Sequence, residues 1–441
     1  MKIRRCAVLY IQPREELDVD WASLFAGNSA LVASTRWLAL APHLDREIDV
    51  DAADLAVLGS VSQNLWSART DAERRHGAPV VARLLAAGLL LADADEGAEE
   101  NADKADGDAA PPGLENGGAA PAGTADEQAA SAGTTNGKSA LAGTAGDKAA
   151  LAALRARDET LRSHHWGPLA ALAHTYSRWQ GVRSDNGMDA PSFDELLARY
   201  GAPPPAVLQV APAGAVCQLP PAPGGPLDEA LLRRYTGRNY DLDASLPLAV
   251  AARLLQRTFG AQELRDVGPH ANVLKKTSPS GGGLHPVEAF VLVQRIDGVT
   301  PGLYHYHPLD NTLIPLRTAT REEAAALARV MVADQHWLSG AAMQVVMVGR
   351  VERSFWKYRN HQKAYRALSL DAGHLSQTFY LLAAEAGLPA FITAALNDVE
   401  IEQMLGLDHL RHAVIAVCGC GVAAAGPRTM VELRYGETGL G

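Results

Sequence analysis

Residues Lys275–Gln294 read KKTSPSGGGLHPVEAFVLVQ. From Val287 onward the stretch alternates and then runs apolar, as a strand entering a core does. Before it, Gly281–Gly283 sit between Ser280 and His285. A glycine inside an element costs about 0.5–1 kcal/mol relative to alanine. Three together at the door of a core strand imply that something large and flat approaches the main chain there. The stretch is not a Walker loop, because no Gly-Lys-Ser/Thr follows. Nor is it a dinucleotide fingerprint, because it precedes a strand instead of leading from strand to helix. Absent side chains would let a flat ring lie against backbone, with N–H groups offered to its oxygens. His285 reads equally as a substrate contact or as a packed turn residue before Pro286.

Around this stretch the pattern is regular. SLPLAVAARLLQRTFG and REEAAALARVMVADQ read as helices, and VEAFVLVQRI, AAMQVVMVGRV and HAVIAVCGCG as strands. GLYHYHPLDNTLIPL reads as a hairpin. RALSLDAGHLSQTFYLLAAEAG carries Leu368, Ala372, Leu375, Phe379, Leu382 and Ala386 at helical spacing. Together they predict an α+β domain over residues 226–441. Cys418 and Cys420 read as positions on a buried strand, not as a redox or metal pair.

Two further stretches bear on chemistry. Arg233-Arg234-Tyr235-Thr236-Gly237-Arg238 gathers guanidiniums and a hydroxyl, the equipment of a phosphate clamp or of a solvated charge cluster. Lys357-Tyr358 pairs an amine with a phenol. Such a pair serves as a general base when desolvated and as ordinary surface otherwise. His164, His165 and His174 lack a carboxylate or cysteine at ligand spacing, and His305 and His307 lack a third ligand, so no metal is expected.

The N-terminal part is built differently. Residues 1–92 read as a small winged-helix-like unit, with a strand in RRCAVLYIQ and helices ending in ARLLAAGLLL. Docking of a peptide or protein suits it better than DNA binding, because the net charge is −10. Residues 93–150 are Ala/Gly/Asp/Glu-rich without an aromatic residue and read as a disordered linker. Residues 151–225 form a helical and then Pro-rich connecting segment. No run approaches the roughly 18 apolar residues that span a bilayer. Four cysteines give no disulfide framework, so a cytoplasmic location is expected.

Taken as a set, RRYTGR, SPSGGGLHPVEAF, PGLYHYHPLDNTL and WKYRNHQKAYRALSLDAGHLSQTFYLLAAEAGLPAF resemble the nitroreductase superfamily. Within it they resemble the SagB-type branch, FMN-dependent dehydrogenases of thiazole/oxazole peptide maturation. The resemblance covers about residues 226–422. It implies an FMN-binding α+β homodimer, a mixed sheet flanked by helices, with sites at the subunit interface. By position, Arg234, Thr236 and Arg238 would hold the FMN phosphate and ribityl chain. Ser280, Gly281 and Gly282 would lie along the ring, and Ile392, Thr393 and Ala394 would face its pyrimidine edge. Arg428 would close on the phosphate. Lys357 or Tyr358 would be the base in oxidation of a peptide azoline to an azole, with hydride passing to the flavin and oxygen reoxidising it. Residues 1–92 would hold a precursor peptide or a cyclodehydratase. Two rival readings are an NAD(P)H-dependent nitro, quinone or flavin reductase and a flavin-less scaffold subunit.

Overall fold

The computed structural model describes residues 1–27, 31–93, 145–184, 193–211, 213–221, 223–269, 271–359, 361 and 363–426. The chain divides into two compact units, Met1–Glu159 and Thr160–Gly441. The boundary falls inside the segment 151–225 that the sequence sets apart. Most of the tract read as a linker lies outside the described residues.

In the first unit, β1 (Lys2–Arg5) and β2 (Tyr10–Val19) replace the single strand expected through RRCAVLYIQ. The β1–β6 ladder runs one residue past β1 through the in-register bond from Cys6 N–H to the Leu89 carbonyl at 3.1 Å, and the chain then leaves it, with Ala7 N–H donating to Asp158 at 2.6 Å. After the short helix α1 (Trp21–Phe25), β3 (Leu31–Leu40) pairs antiparallel with β2 and with β4 (Glu47–Val50). A second sheet has the order β5 (Ser67–Ala68), β1, β6 (Leu90–Ala92). Asp51 and Asp54 form a capping box at the start of α2 (Ala52–Ser60). The helical run DAERRHGAPVVARLLAA is cut in two at Gly77, whose φ is +92°, into α3 (Arg69–His76) and α4 (Ala78–Ala87). Val57, Leu58, Val81, Leu84 and Leu89 are the centre of this unit's core. Helix α5 (Ala145–Ser163) brings Asp158 to within 3.7 Å of the buried Arg4 guanidinium.

The second unit begins with α6 (Pro168–Ser177), α7 (Phe193–Tyr200), α8 (Asp228–Arg233) and α9 (Leu248–Phe259). A hairpin of β7 (Glu263–Gly268) and β8 (Ala271–Lys275) follows, then β9 (Val287–Val293), β10 (Gly302–His307) and β11 (Thr312–Thr318). Next come α10 (Arg321–Met331), α11 (His336–Ser339), β12 (Met343–Arg350), α12 (Val351–Lys357) and α13 (Ala364–Glu385). The unit closes with β13 (Ala390–Thr393), α14 (Asp398–Leu405) and β14 (His412–Cys420). Its sheet has the order β11-β10-β9-β12-β14-β13. All of its ladder pairs are antiparallel. Among the described residues, parallel pairing enters only as isolated bridges, Thr236 with Ala390 and Leu246 with Ile296.

Both faces of this sheet are covered. Val291, Val293, Val345 and Met347 pack with Leu254, Phe259, Leu375 and Phe379 on the α9 and α13 side. Leu292, Val346 and Val348 pack with Ala324, Ala328 and Ile401 on the α10 and α14 side. Double coverage explains why the central strands read as nearly unbroken apolar runs.

The imidazole of His174 in α6 is buried, stacks on Trp166, and bridges Tyr365 Oη and the His409 carbonyl, each at 3.0 Å. Burial pushes its pKa down to about 4, with the Arg178 charge adding to the effect. The ring therefore gains its proton in the unfolded chain first. Stability should be full above about pH 6.5, fall as the pH drops toward 4, and flatten below. Two and a half pH units at about 1.4 kcal/mol each amount to about 3–4 kcal/mol. Urea unfolding at pH 7, 5.5 and 4 should show this slope, and His174→Phe should reduce it while lowering stability throughout.

Candidate functional site

The three glycines form a single 3₁₀ turn between β8 and β9, capped by Ser280. Gly282 and Gly283 hold φ of +64° and +70°, and His285 holds +46°. A positive φ at a non-glycine residue directly before a proline is unusual, and such strain clusters at functional sites. The buried carboxylate of Asp371, on α13, accepts from Ser280 Oγ at 2.5 Å and from Gly281 N–H at 2.9 Å. Ser280 Oγ in turn accepts from His285 N–H at 2.8 Å. Lys276, Pro279, Ser280, His285, Val287, Asp371 and Leu375 line a small cleft beside the turn. Lys276 is almost fully buried there, and that burial lowers its pKa. Burial and the Lys276 charge also push His285 down to about 4, so its ring is neutral near pH 7.

Lys357 ends α12 and Tyr358 follows it, and both reach this turn. Lys357 Nζ donates to the Gly282 carbonyl at 3.3 Å. A methyl group on Gly282 would come within 2.7 Å of Tyr358 Oη and 2.8 Å of Lys357 Nζ. On Gly281 it would meet Ala367 Cβ at 3.2 Å, while at Gly283 it would meet open space. The room expected for a flat ring is thus taken at Gly282 by the amine and the phenol. The main-chain donor of Gly281 is already held by Asp371.

The arginine stretch gathers separately. Arg234 lies over the ring of Tyr380 at 5.2 Å. Thr236 Oγ1 is 3.1 Å from Tyr380 Oη, which accepts from Ile392 N–H at 3.1 Å. Thr393 Oγ1 accepts from Gln335 at 3.2 Å, and Ala394 is exposed. Arg238 Nε is buried and makes no hydrogen bond among the described residues, an unmet donor of the kind that an anion satisfies. Arg233 instead pairs with Glu229 at the surface. Arg428 lies outside the described residues.

Helix α13 separates the two groups. Ala367, Asp371 and Thr378 face the glycine segment, Thr378 by a 2.8 Å bond to Ser278. Tyr380 follows Asp371 by nine residues, half a turn out of phase at 3.6 residues per turn. The predicted residues therefore form two clusters on opposite flanks of α13. Sequence reasoning missed Asp371 and Tyr380, whose partners stand 91 and 144 residues away. The one available signal was a carboxylate within a helix rich in buried positions.

Other candidates resolve as structure. Cys418 and Cys420 are fully buried on β14, and burial pushes both thiols up, Cys420 to about 12. His305 pairs with Glu288 and His307 with Asp310. Among the described residues, no group of three or more His, Cys, Asp or Glu could hold a metal ion, and no helix is long and apolar enough to cross a membrane.

Residues 231–422 match the nitroreductase family. The chain is 27% identical over 188 residues to a Methanocaldococcus jannaschii protein named as a nitroreductase, covering 43% of this chain and 88% of that protein. It is 30% identical over 136 residues to the trifolitoxin-processing protein TfxB of Rhizobium leguminosarum bv. trifolii, covering 31% and 36%. It is 25% identical over 189 residues to the microcin B17-processing protein McbC of Escherichia coli, covering 42% and 65%. The chain thus spans most of the first relative and less than two thirds of the other two.

The contacts at Gly282 and Gly283 separate two costs. Gly282→Ala and Gly283→Ala should each lose about 1–2 kcal/mol of unfolding free energy, the left-handed backbone penalty. Only Gly282→Ala should also displace the ends of Lys357 and Tyr358. NMR of the reductively methylated Lys357 amine should shift in that variant and stay put in Gly283→Ala.

Proposed function

We propose that this chain is an FMN-dependent dehydrogenase that removes two hydrogens from a ribosomally made peptide, with azoline-to-azole oxidation as the reaction class. The observation that carries the reading is the convergence of Lys357 and Tyr358 on the backbone of Gly282, beside a strained turn. A general base must be held at a fixed place, and this contact ties the exposed Lys357 amine to the turn. The relatives named for processing of trifolitoxin and microcin B17 support a peptide substrate.

In this reading Arg234, Thr236 and Arg238 hold the FMN phosphate and ribityl chain. The unmet Arg238 Nε suits that role, since charged hydrogen bonds to phosphate are strong. Ser280–Gly282 and residues 392–394 border the ring. Bound FMN would supply a two-electron acceptor, with oxygen as the final oxidant. The chain's own part is to orient the peptide and take a proton from the carbon being oxidised, at Lys357 Nζ or Tyr358 Oη. Opposite flanks of α13 carry the two clusters, which supports a homodimer in which one protomer's arginine segment faces its partner's glycine turn. Residues 1–92 would dock the precursor peptide or a cyclodehydratase and raise the local substrate concentration.

A second reading, an NAD(P)H-dependent reductase, is favoured by the match that spans 88% of the M. jannaschii protein. NADH or NADPH added without oxygen should leave the flavin yellow under the first reading and bleach it under the second.

The purified chain should be yellow, and a candidate peptide should lose two hydrogens by mass spectrometry. Replacing the true base, by Lys357→Ala or Tyr358→Phe, should cut turnover about 10²–10⁴-fold with flavin absorbance retained. Unchanged turnover in both variants overturns the assignment. Arg238→Ala should instead release the flavin, read as lost absorbance at about 450 nm after gel filtration.

A further inference from the structure

We propose that Asp371 is a positioning residue, whose carboxylate shapes the glycine turn so that Gly282 presents its carbonyl to Lys357. The inference rests on the reading of Lys357 and Tyr358 given above and extends it to a residue on another element.

The turn does not hold itself. Three of the four residues Gly282–His285 have positive φ, and His285 has a side chain to accommodate there. Within the turn, Gly283 N–H donates to the Ser280 carbonyl at 3.0 Å and Leu284 N–H to the Gly281 carbonyl at 3.4 Å, and neither bond reaches His285. Asp371 supplies the rest. One oxygen takes the Gly281 N–H and the other takes the Ser280 hydroxyl. Ser280 Oγ then receives the His285 N–H, so one carboxylate fixes both the entry and the exit of the turn. Arg353 adds a bond to the Leu284 carbonyl at 2.6 Å from the α12 side.

The residue type is the one this job needs. An ionised carboxylate only accepts, and both donors at the start of the turn point at it. Each bond is charge-assisted and therefore stronger than a neutral one. Asparagine would present an NH₂ group to one of these donors, and glutamate would push the turn outward by one methylene. Asp371 bonds the turn at Ser280 and Gly281, so its effect on Lys357 passes through the turn to Gly282.

The test reads Lys357 directly, on the full-length chain without substrate. Trace acetylation with acetic anhydride, scored by mass spectrometry against the exposed Lys2, reports how well the Lys357 amine is held. Asp371→Asn should raise the relative labelling of Lys357 about 2- to 10-fold, as expected for loss of one modest hydrogen bond. Ser280→Ala should give a smaller rise, since Gly281 stays bound. Should Asp371→Ala fail to fold, the isosteric Asn variant keeps the test alive. A lower melting temperature with unchanged Lys357 labelling in Asp371→Asn makes Asp371 merely structural and overturns the proposal. Turnover gives an independent arm. In a Lys357→Ala background, Asp371→Asn should cost nothing further, whereas multiplying losses overturn the link. If instead Lys357→Ala alone leaves turnover unchanged while labelling responds to Asp371, the base assignment fails and the positioning claim stands.

Discussion

Helix α13 is held by one apolar stripe, and the rest of the second unit depends on how that stripe is seated. Leu368, Ala372, Leu375, Phe379 and Ala383 are all buried. Phe379 and Ala383 have no exposed surface, so the helix cannot rotate without opening cavities. Removing a buried phenylalanine typically costs about 3–5 kcal/mol, which measures how firmly the rotation is set. Fixing the rotation fixes the flanks. One flank delivers Asp371 to the glycine turn, and the other delivers Tyr380 to Thr236 and Ile392. Polar chemistry is thus aimed by hydrophobic packing, which is non-directional taken alone and acquires direction from helical phase.

The glycine turn shows how strain is distributed. Its shape is unfavourable locally, and most sharply so at His285. That cost is offset by bonds from α13 and from α12, two elements far away in sequence. A turn stabilised in this way holds one shape and does not sample many, which a group meant to meet a substrate at a fixed angle requires. The neutral His285, the buried Lys276 and the Asp371 carboxylate keep the neighbouring cleft polar. Small displacements there should therefore be felt by the turn.

Legibility in the sequence followed burial. Strands β9, β12 and β14 and helix α13 were readable because their apolar residues repeat at the period of the element. The β7–β8 hairpin was not, since ELRDVG and ANVLK are largely exposed and show little alternation. The break after Cys6 was equally hidden, because there Ala7 N–H turns to Asp158, 151 residues away, and not to any local turn residue. At the site, residue types with distinctive chemistry announced themselves: the glycines, the arginines and the Lys-Tyr pair. What they would touch did not. Gly282 looked like space for a ligand, and within this chain that space faces Lys357 and Tyr358 instead. Asp371 looked like one more polar position on a long helix, because a hydrogen bond across 91 residues leaves no periodic trace.

The placement of the two clusters limits how any single ligand could use them. Nine residues along a helix advance about 13 Å and turn it two and a half times, so Asp371 and Tyr380 cannot face the same groove. A ligand lying along the glycine turn beside Asp371 is half a turn of α13 away from Tyr380, the residue that Arg234 and Thr236 contact. Under the homodimer proposed above, each interface would repeat the same complementary pair of half-sites. Under that arrangement, an isolated chain would contain every residue of the site and still be unable to assemble it.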